Sequence, residues 1–182
     1  MSREDSVWID RLSGRISKSE VMRYAQDLHN DEYGIGELCT LVCGTSRRRV
    51  AMNGAWILSH LAESDNVTYM PKYRDMLMDF AMKDDIAVRR GLIITILLNI
   101  PELENPRTDY LDYCMDGFLC SKHSDSSRAA MIKAAARMCK MFPELMAELL
   151  YRLSLLPQGL PPSIECVRWK IISQCDGEKN VF

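Results

Sequence analysis

The sequence predicts an all-α protein built from a short array of helix pairs, and three observations support this fold class. Alternation of apolar and polar residues, which is typical of strands, is not sustained anywhere along the 182 residues. Apolar residues instead recur at the three- and four-residue spacing of amphipathic helices. Segments that resemble one another also return at intervals of about 40 residues, the length of a two-helix repeat.

The first helix with clear boundaries is predicted to begin near residue 17. Ser17 and Glu20 have the spacing of a capping box, in which each side chain bonds the other residue's backbone N–H. Apolar residues then follow on one helical face at Val21, Tyr24, Ala25 and Leu28.

Prolines predict where three further helices begin. Pro71, Pro106 and Pro143 each precede an amphipathic stretch, and the first turn of a helix tolerates a residue without an N–H. The segment 157–162, PQGLPP, breaks the helical pattern, and a last helix is predicted over 163–175.

Four segments share a register that begins at an arginine. These arginines are Arg49, Arg89, Arg128 and Arg168, so consecutive copies are separated by about 40 residues. An apolar residue follows three positions later in every copy: Met52, Leu92, Met131 and Ile171. The position seven residues after the arginine is also uncharged: Trp56, Ile96, Ala135 and Cys175.

The stretch DDIAVRR, residues 84–90, places acids in a turn and arginines at the head of the following helix. This pattern, repeated at such a period, resembles HEAT and armadillo-type repeats over residues 34–175. The resemblance implies a short right-handed α-α superhelix of about four helix pairs. It also implies that Asp85 and Arg89 pair to link neighbouring turns. Thr45 and Ile164 stand where other copies would have the acid.

The domain boundaries follow from this register. We expect one domain, with a helical cap over residues 1–33, the repeats over 34–175, and a flexible tail over 176–182. Residues 91–100 carry no charge, which fits the second helix of a middle repeat because neighbours cover it on most sides.

Charge is divided unevenly between the predicted helix layers, although the net charge is only −2. The predicted second helices contain eleven Lys or Arg and one acid, Glu165, whereas the first helices contain six basic and nine acidic residues. If the second helices line the concave face of the array, that face is a basic groove that attracts anions. The candidate contact residues are Arg90, Lys133, Arg137, Lys170, Trp56 and Trp169.

Each of these residues can have a role in binding or a role in the fold alone, and the sequence leaves both interpretations open. Arginines at helix starts can serve only to link the repeats, and lysines can belong to a solvated face without a partner. A tryptophan at a repeat position can be part of the core, or it can be exposed and stack on a base or anchor a peptide.

Two functions are compatible with a basic groove. The first is a non-enzymatic interaction module that presents the groove to an acidic protein or peptide. The alternative is a nucleic-acid-binding protein similar to the DNA alkylation repair glycosylases, some of which have HEAT-like folds. That resemblance would rest on Trp56, Trp169, Arg137 and Glu165, and the carboxylate expected beside a tryptophan in the middle second helices is missing.

No motif predicts catalytic residues, a cofactor or a metal. The spacing of Cys114, Cys120 and His123 is CxxxxxCxxH, which lacks a second knuckle and is not a zinc pattern. Seven cysteines and a charged start, MSREDSVWID, predict reduced thiols in the cytoplasm. The longest apolar run, residues 91–100, is far shorter than the roughly 20 residues of a membrane span, so no membrane association is expected. The oligomeric state is open.

Overall fold

All regular secondary structure in the described residues is helical. The computed structural model describes residues 7–101, 107–140 and 142–179, with side chains as far as residue 175. The chain divides into an N-terminal unit, Met1–Pro101, and a C-terminal unit, Glu102–Phe182. The all-α fold class predicted from the sequence is therefore confirmed.

The N-terminal unit contains seven α-helices among its described residues. They are α1 (Val7–Leu12), α2 (Lys18–Asp27), α3 (Glu32–Gly44), α4 (Arg48–Leu58), α5 (Glu63–Thr68), α6 (Arg74–Lys83) and α7 (Ala87–Asn99). A short 3-10 helix, Met70–Tyr73, precedes α6, so the helix predicted from Pro71 begins with one tighter turn. The predicted capping box of α2 is present, with Glu20 N donating to Ser17 Oγ over 3.3 Å and Ser17 N donating to Glu20 Oε2 over 2.8 Å.

Two helix pairs stack in the N-terminal unit. Helix α3 packs against α4, α6 packs against α7, and the second helices α4 and α7 pack against each other. Gly54 allows the close approach of α4 to α3, because a Cβ at this position would lie 2.7 Å from Val42 Cγ2. Helix α1 is tied to α4 by Asn53, whose Nδ2 donates to the carbonyl oxygens of Leu12 and Gly14.

Helix α7 has the environment expected for the uncharged segment 91–100. Its buried side chains include Ile93, Ile94, Ile96 and Leu97. The residues that reach solvent most are Val88, Thr95 and Asn99, which lie along one strip of the helix. The solvent-facing strip of α7 is therefore narrow and uncharged.

A buried ion pair fixes the turn between α6 and α7. Arg89 Nε and Nη2 each donate over 2.7 Å to the two carboxylate oxygens of Asp84, whose side chain is 1% exposed. Ile86 N also donates to Asp84 Oδ1. The predicted partner, Asp85, is exposed instead. The hydrogen bonds that Arg89 donates to Asp84 raise the pKa of the Arg89 guanidinium.

The C-terminal unit is organised around its longest fully described helix. Its helices are α8 (Thr108–Gly117), α9 (Asp125–Cys139), α10 (Pro143–Ser154) and α11 (Pro162–Lys179). Helices α8, α10 and α11 all pack against α9. Arg128, near the start of α9, is buried and donates from Nε to the carbonyl oxygen of Phe118 over 2.8 Å.

In the last of the four repeated segments, the helix begins farther before the arginine than it does in the other three. Helix α11 begins at Pro162, well before Arg168, because Ile164 N and Glu165 N both donate to Pro161 O and form the first turn there. Helix α10 begins at Pro143, as predicted. The predicted start at Pro106 lies outside the described residues, and the predicted tail over 176–182 does so in part, since α11 continues to Lys179. No helix among the described residues is long and apolar enough to cross a membrane.

Because Asp84 is buried in the ion pair and Asp85 is exposed, we expect substitution of these two adjacent acids to change stability by unequal amounts. Asp84→Ala leaves the Arg89 guanidinium buried without its counter-ion, and we expect it to lower the free energy of unfolding by about 3 kcal/mol. Asp85→Ala removes an exposed charge and is expected to cost less than about 1 kcal/mol. Urea unfolding followed by circular dichroism measures both. Equal losses in the two variants would show that the buried pair does not stabilise this turn.

Candidate interaction surface

Helix α9 exposes a single strip to solvent, and past its first turn that strip is cationic. Eleven of the fifteen residues of α9 are buried, and the other four are Asp125, Ser126, Lys133 and Arg137. Lys133 is exposed and Arg137 is partly buried, and Lys140, which caps the helix, is exposed. The spacing of four and then three residues places Lys133, Arg137 and Lys140 on one face, which we call the α9 cationic strip. Arg137 and Lys140 also lie where positive charge stabilises a helix C-terminus.

A cleft adjoins this strip at Lys140. It lies between α10 and α11, has α9 at its base and a volume of about 900 Å³, and we call it the α10/α11 cleft. The residues that line it are Ala136, Cys139, Lys140, Pro143, Met146, Ala147, Leu150, Ile171, Gln174 and Cys175. Most of these side chains are apolar, so the cleft is an apolar surface beside a row of cations.

Trp169 and Lys170 are neighbours on the outer side of α11. Trp169 is 61% exposed, and Lys170 is exposed as well. The guanidinium of Arg168 lies 5.8 Å from the centroid of the Trp169 ring, within cation–π distance. Arg168 is also held by Glu165, 3.6 Å away, and by the carbonyl oxygen of Pro157. Trp169 is therefore a surface residue. Arg168 packs against one side of its ring, and the position of Arg168 is fixed by its own bonds to Glu165 and Pro157.

The other two predicted residues belong to the N-terminal unit and are less accessible. Arg90 is partly buried, and its Nη1 donates to the carbonyl oxygen of Asp84 over 2.6 Å. Trp56 on α4 is partly buried and meets the ring of His60 edge to face, with centroids 6.4 Å apart. The structure thus places Lys133 with Arg137 on α9 and Trp169 with Lys170 on α11, while Arg90 and Trp56 lie in the other unit.

A second group of exposed cations lies at the start of α4. Arg47, Arg48 and Arg49 are all exposed, and no acid lies in the first turn of this helix. Arg49 therefore differs from Arg89, Arg128 and Arg168, which bond to groups within their own unit. The repeated arginine has a structural role in the later copies, whereas in the first copy it faces solvent.

Most of the cysteines lie in environments that suppress thiolate formation. Burial raises the pKa of the Cys39 thiol, and it raises the pKa of Cys114 to about 12. Burial, with a smaller effect of the Glu148 charge, raises the pKa of Cys139 to about 11. All seven cysteines are free thiols, and Cys166 is the exposed one. Among the described residues, no group of three or more His, Cys, Asp or Glu side chains is placed to hold a metal ion.

The cleft and the position of Lys140 at its edge were not predicted from the sequence. The sequence does contain a pattern for one wall of the cleft. The i, i+3, i+4, i+7 spacing of one helical face is found at Pro143, Met146, Ala147 and Leu150. That spacing predicts an apolar face but not whether another helix of the chain covers it.

Comparison with protein families agrees with this architecture. A family model described as a HEAT repeat domain matches residues 8–175. The match extends over nearly all of the chain, so the protein belongs to the HEAT repeat domain family, as the residue patterns indicated. Neither a curated protein nor a solved structure matches the chain.

The burial of the thiols predicts an order of chemical reactivity. In the native protein at pH 8, Cys166 should react with an aromatic disulfide reagent first, because it is exposed. Cys39 and Cys114 should react only after denaturation, because burial raises the pKa of each thiol. Peptide mass mapping identifies the sites, and Cys166→Ser should remove the fast phase. Rapid modification of Cys114 in the native protein would contradict the packing of α8 against α9.

Proposed function

We propose that the protein is a non-enzymatic HEAT-repeat interaction module that binds an acidic protein or peptide. The observation that carries this proposal is the α9 cationic strip. Past the first turn of α9 nearly every other position is buried, so the side chains that this part of the helix presents to a partner are Lys133, Arg137 and, at its end, Lys140. A row of positive charge on the exposed face of a helix favours an anionic partner.

The cations that hold the fold together can be separated from those that remain for a partner. Arg89, Arg128 and Arg168 bond to a carboxylate or to backbone carbonyls within their units. The partners of these arginines keep them in place, and two of them are buried. Lys133 and Lys170, in contrast, are exposed on α9 and α11, two helices that pack against each other.

Trp169 adds a feature that suits a protein partner. A large aromatic side chain that is mostly exposed beside a lysine is the kind of residue that anchors protein interfaces. In the proposed complex, Trp169 contributes apolar contact area while Lys170 meets a carboxylate. Arg90 and Trp56 are proposed to contribute less, because both are partly buried in the N-terminal unit.

A nucleic-acid partner is the second candidate, and the exposed triplet Arg47, Arg48 and Arg49 is the observation that favours it. Consecutive arginines at a helix start suit phosphate contacts, and an exposed tryptophan can stack on a base. In that case affinity would fall steeply with salt, in proportion to the number of phosphates contacted.

Charge reversal on the second helices tests the proposed function. Lys133→Glu with Lys170→Glu should weaken binding of a fluorescein-labelled Glu-rich peptide by about tenfold, because two exposed attractions become repulsions. The matched control is Lys83→Glu with Lys122→Glu, which makes the same change in net charge at two other exposed lysines. Fluorescence anisotropy at low and moderate salt measures both variants.

The same experiment distinguishes the two candidates. Equal losses in the two double variants would mean that only net charge matters and would contradict a specific surface on α9 and α11. Tight binding of a short DNA duplex with a steep salt dependence, abolished by an Arg47→Glu and Arg48→Glu pair, would instead favour the nucleic-acid function.

A further inference from the structure

We propose that the α10/α11 cleft is the docking site for an amphipathic α-helix of the partner, with an apolar face in the cleft and carboxylates along the flank that meets Lys140. This inference rests on the proposed function and names the form of the acidic partner. The lining side chains of the cleft follow helical spacing, few of them are polar, and a cation lies at the edge of the cleft.

Each of the three helices presents one stripe of side chains to the cleft. The stripe of α10 is Pro143, Met146, Ala147 and Leu150, that of α9 is Ala136, Cys139 and Lys140, and that of α11 is Ile171, Gln174 and Cys175. These spacings of three and four residues mean that the cleft follows α10 for about two turns, or roughly 10 Å, and α9 and α11 for about one turn each. A groove of this form accepts a helix whose own apolar residues have the same spacing.

Small and adaptable side chains allow a helix to enter the cleft. Ala136 and Ala147 leave room for a neighbouring backbone to come close, since the distance between packed helices depends on the side chains at the contact. Met146 has an unbranched, flexible side chain that can adjust to different apolar neighbours. These small and flexible side chains suit a site that receives the apolar side chains of a helix.

The polar content of the cleft fits a helix better than a small ligand. Sites for small molecules combine an apolar lining with several polar groups that fix the orientation of the ligand. Lys140 and Gln174 are the polar side chains of this lining apart from two thiols. Burial raises the pKa of the Cys139 thiol to about 11, so it remains protonated at neutral pH. A helix needs few such groups because its backbone polar groups are already bonded.

The charges at the edge select an acidic helix. Lys140 lines the cleft and is exposed, and Lys133 and Arg137 continue the same face of α9 away from it. No carboxylate is among the lining residues that the structure describes. The nearby acid Glu148 lies on α10 and is paired with Arg152 at 2.8 Å, and Arg152 also bonds Asp116. A partner helix with glutamates beside its apolar face would meet positive charge along α9.

Two synthetic peptides test the proposal with the full-length protein. One contains Leu at i, i+3, i+4 and i+7 with Glu on the flanks, and the other has the same composition with the leucines spread around the helix. We expect the first to bind at least about tenfold more tightly, measured by fluorescence anisotropy. Helix formation on binding should appear in the circular dichroism spectrum of the first peptide.

Variants of the protein locate the binding site. Ala147→Trp places a large side chain in the cleft from an exposed position and should weaken binding of the amphipathic peptide at least about tenfold. Leu155→Trp, at the C-terminal cap of the same helix, exposed and outside the lining, is the matched control and should change binding less than about twofold. Lys140→Glu should also weaken binding, with a smaller loss at high salt because the charge interaction is screened.

The outcomes separate this inference from the proposed function. If both peptides bind equally and Ala147→Trp has no effect, the acidic partner binds outside the cleft and the inference fails while the proposed function stands. If neither peptide binds, both fail. If the wild-type protein sediments as a dimer and Ala147→Trp makes it a monomer, a second copy of the chain occupies the cleft and the inference is overturned.

Discussion

The burial of α9 on three sides is the constraint from which the organisation of the C-terminal unit follows. Helices α8, α10 and α11 each pack against it, and eleven of its fifteen residues are buried. In a repeat array a helix pair cannot bury its apolar side alone and depends on its neighbours. Alanines at five α9 positions let these neighbours approach. Because so little of α9 remains in contact with water, the few positions that do reach it, Lys133 and Arg137 among them, decide what the helix can bind.

Buried arginines have a different structural role. They connect helices while pairing with charged or backbone groups that are buried at the same place. Arg89 neutralises the buried Asp84, and Arg128 donates to a carbonyl oxygen at the end of α8. Breaking such a contact leaves a buried charge or an unsatisfied acceptor, which costs more than making the contact gains. The arginines near the starts of α7 and α9 therefore belong to the architecture, whereas Arg49 at the start of α4 and the lysines farther along α9 and α11 are exposed. This difference in position, rather than the total charge of −2, separates structural cations from candidate binding residues.

Local patterns predicted the helices well, and features that depend on distant contacts were less predictable. The capping box at Ser17 and the start of α10 at Pro143 involve neighbouring residues only, and both are present. The spacing of four residues suggested Asp85 as the partner of Arg89, but Asp84 is turned inward by the hydrogen bond from Ile86 N. The exposure of Trp169 and the cleft between α10 and α11 depend on which neighbouring helices cover a face, and periodicity alone does not determine that.

The dependence of the C-terminal unit on α9 is tested most directly by native-state hydrogen exchange, resolved to single residues by NMR. Amides of α9 between Met131 and Met138 should exchange most slowly in this unit, because three helices must separate before they open. Amides of α10 should exchange faster, since residues on its outer side, such as Glu144 and Tyr151, are exposed. Protection in α10 equal to or greater than that in α9 would contradict the central position of α9 and the account of its cationic strip.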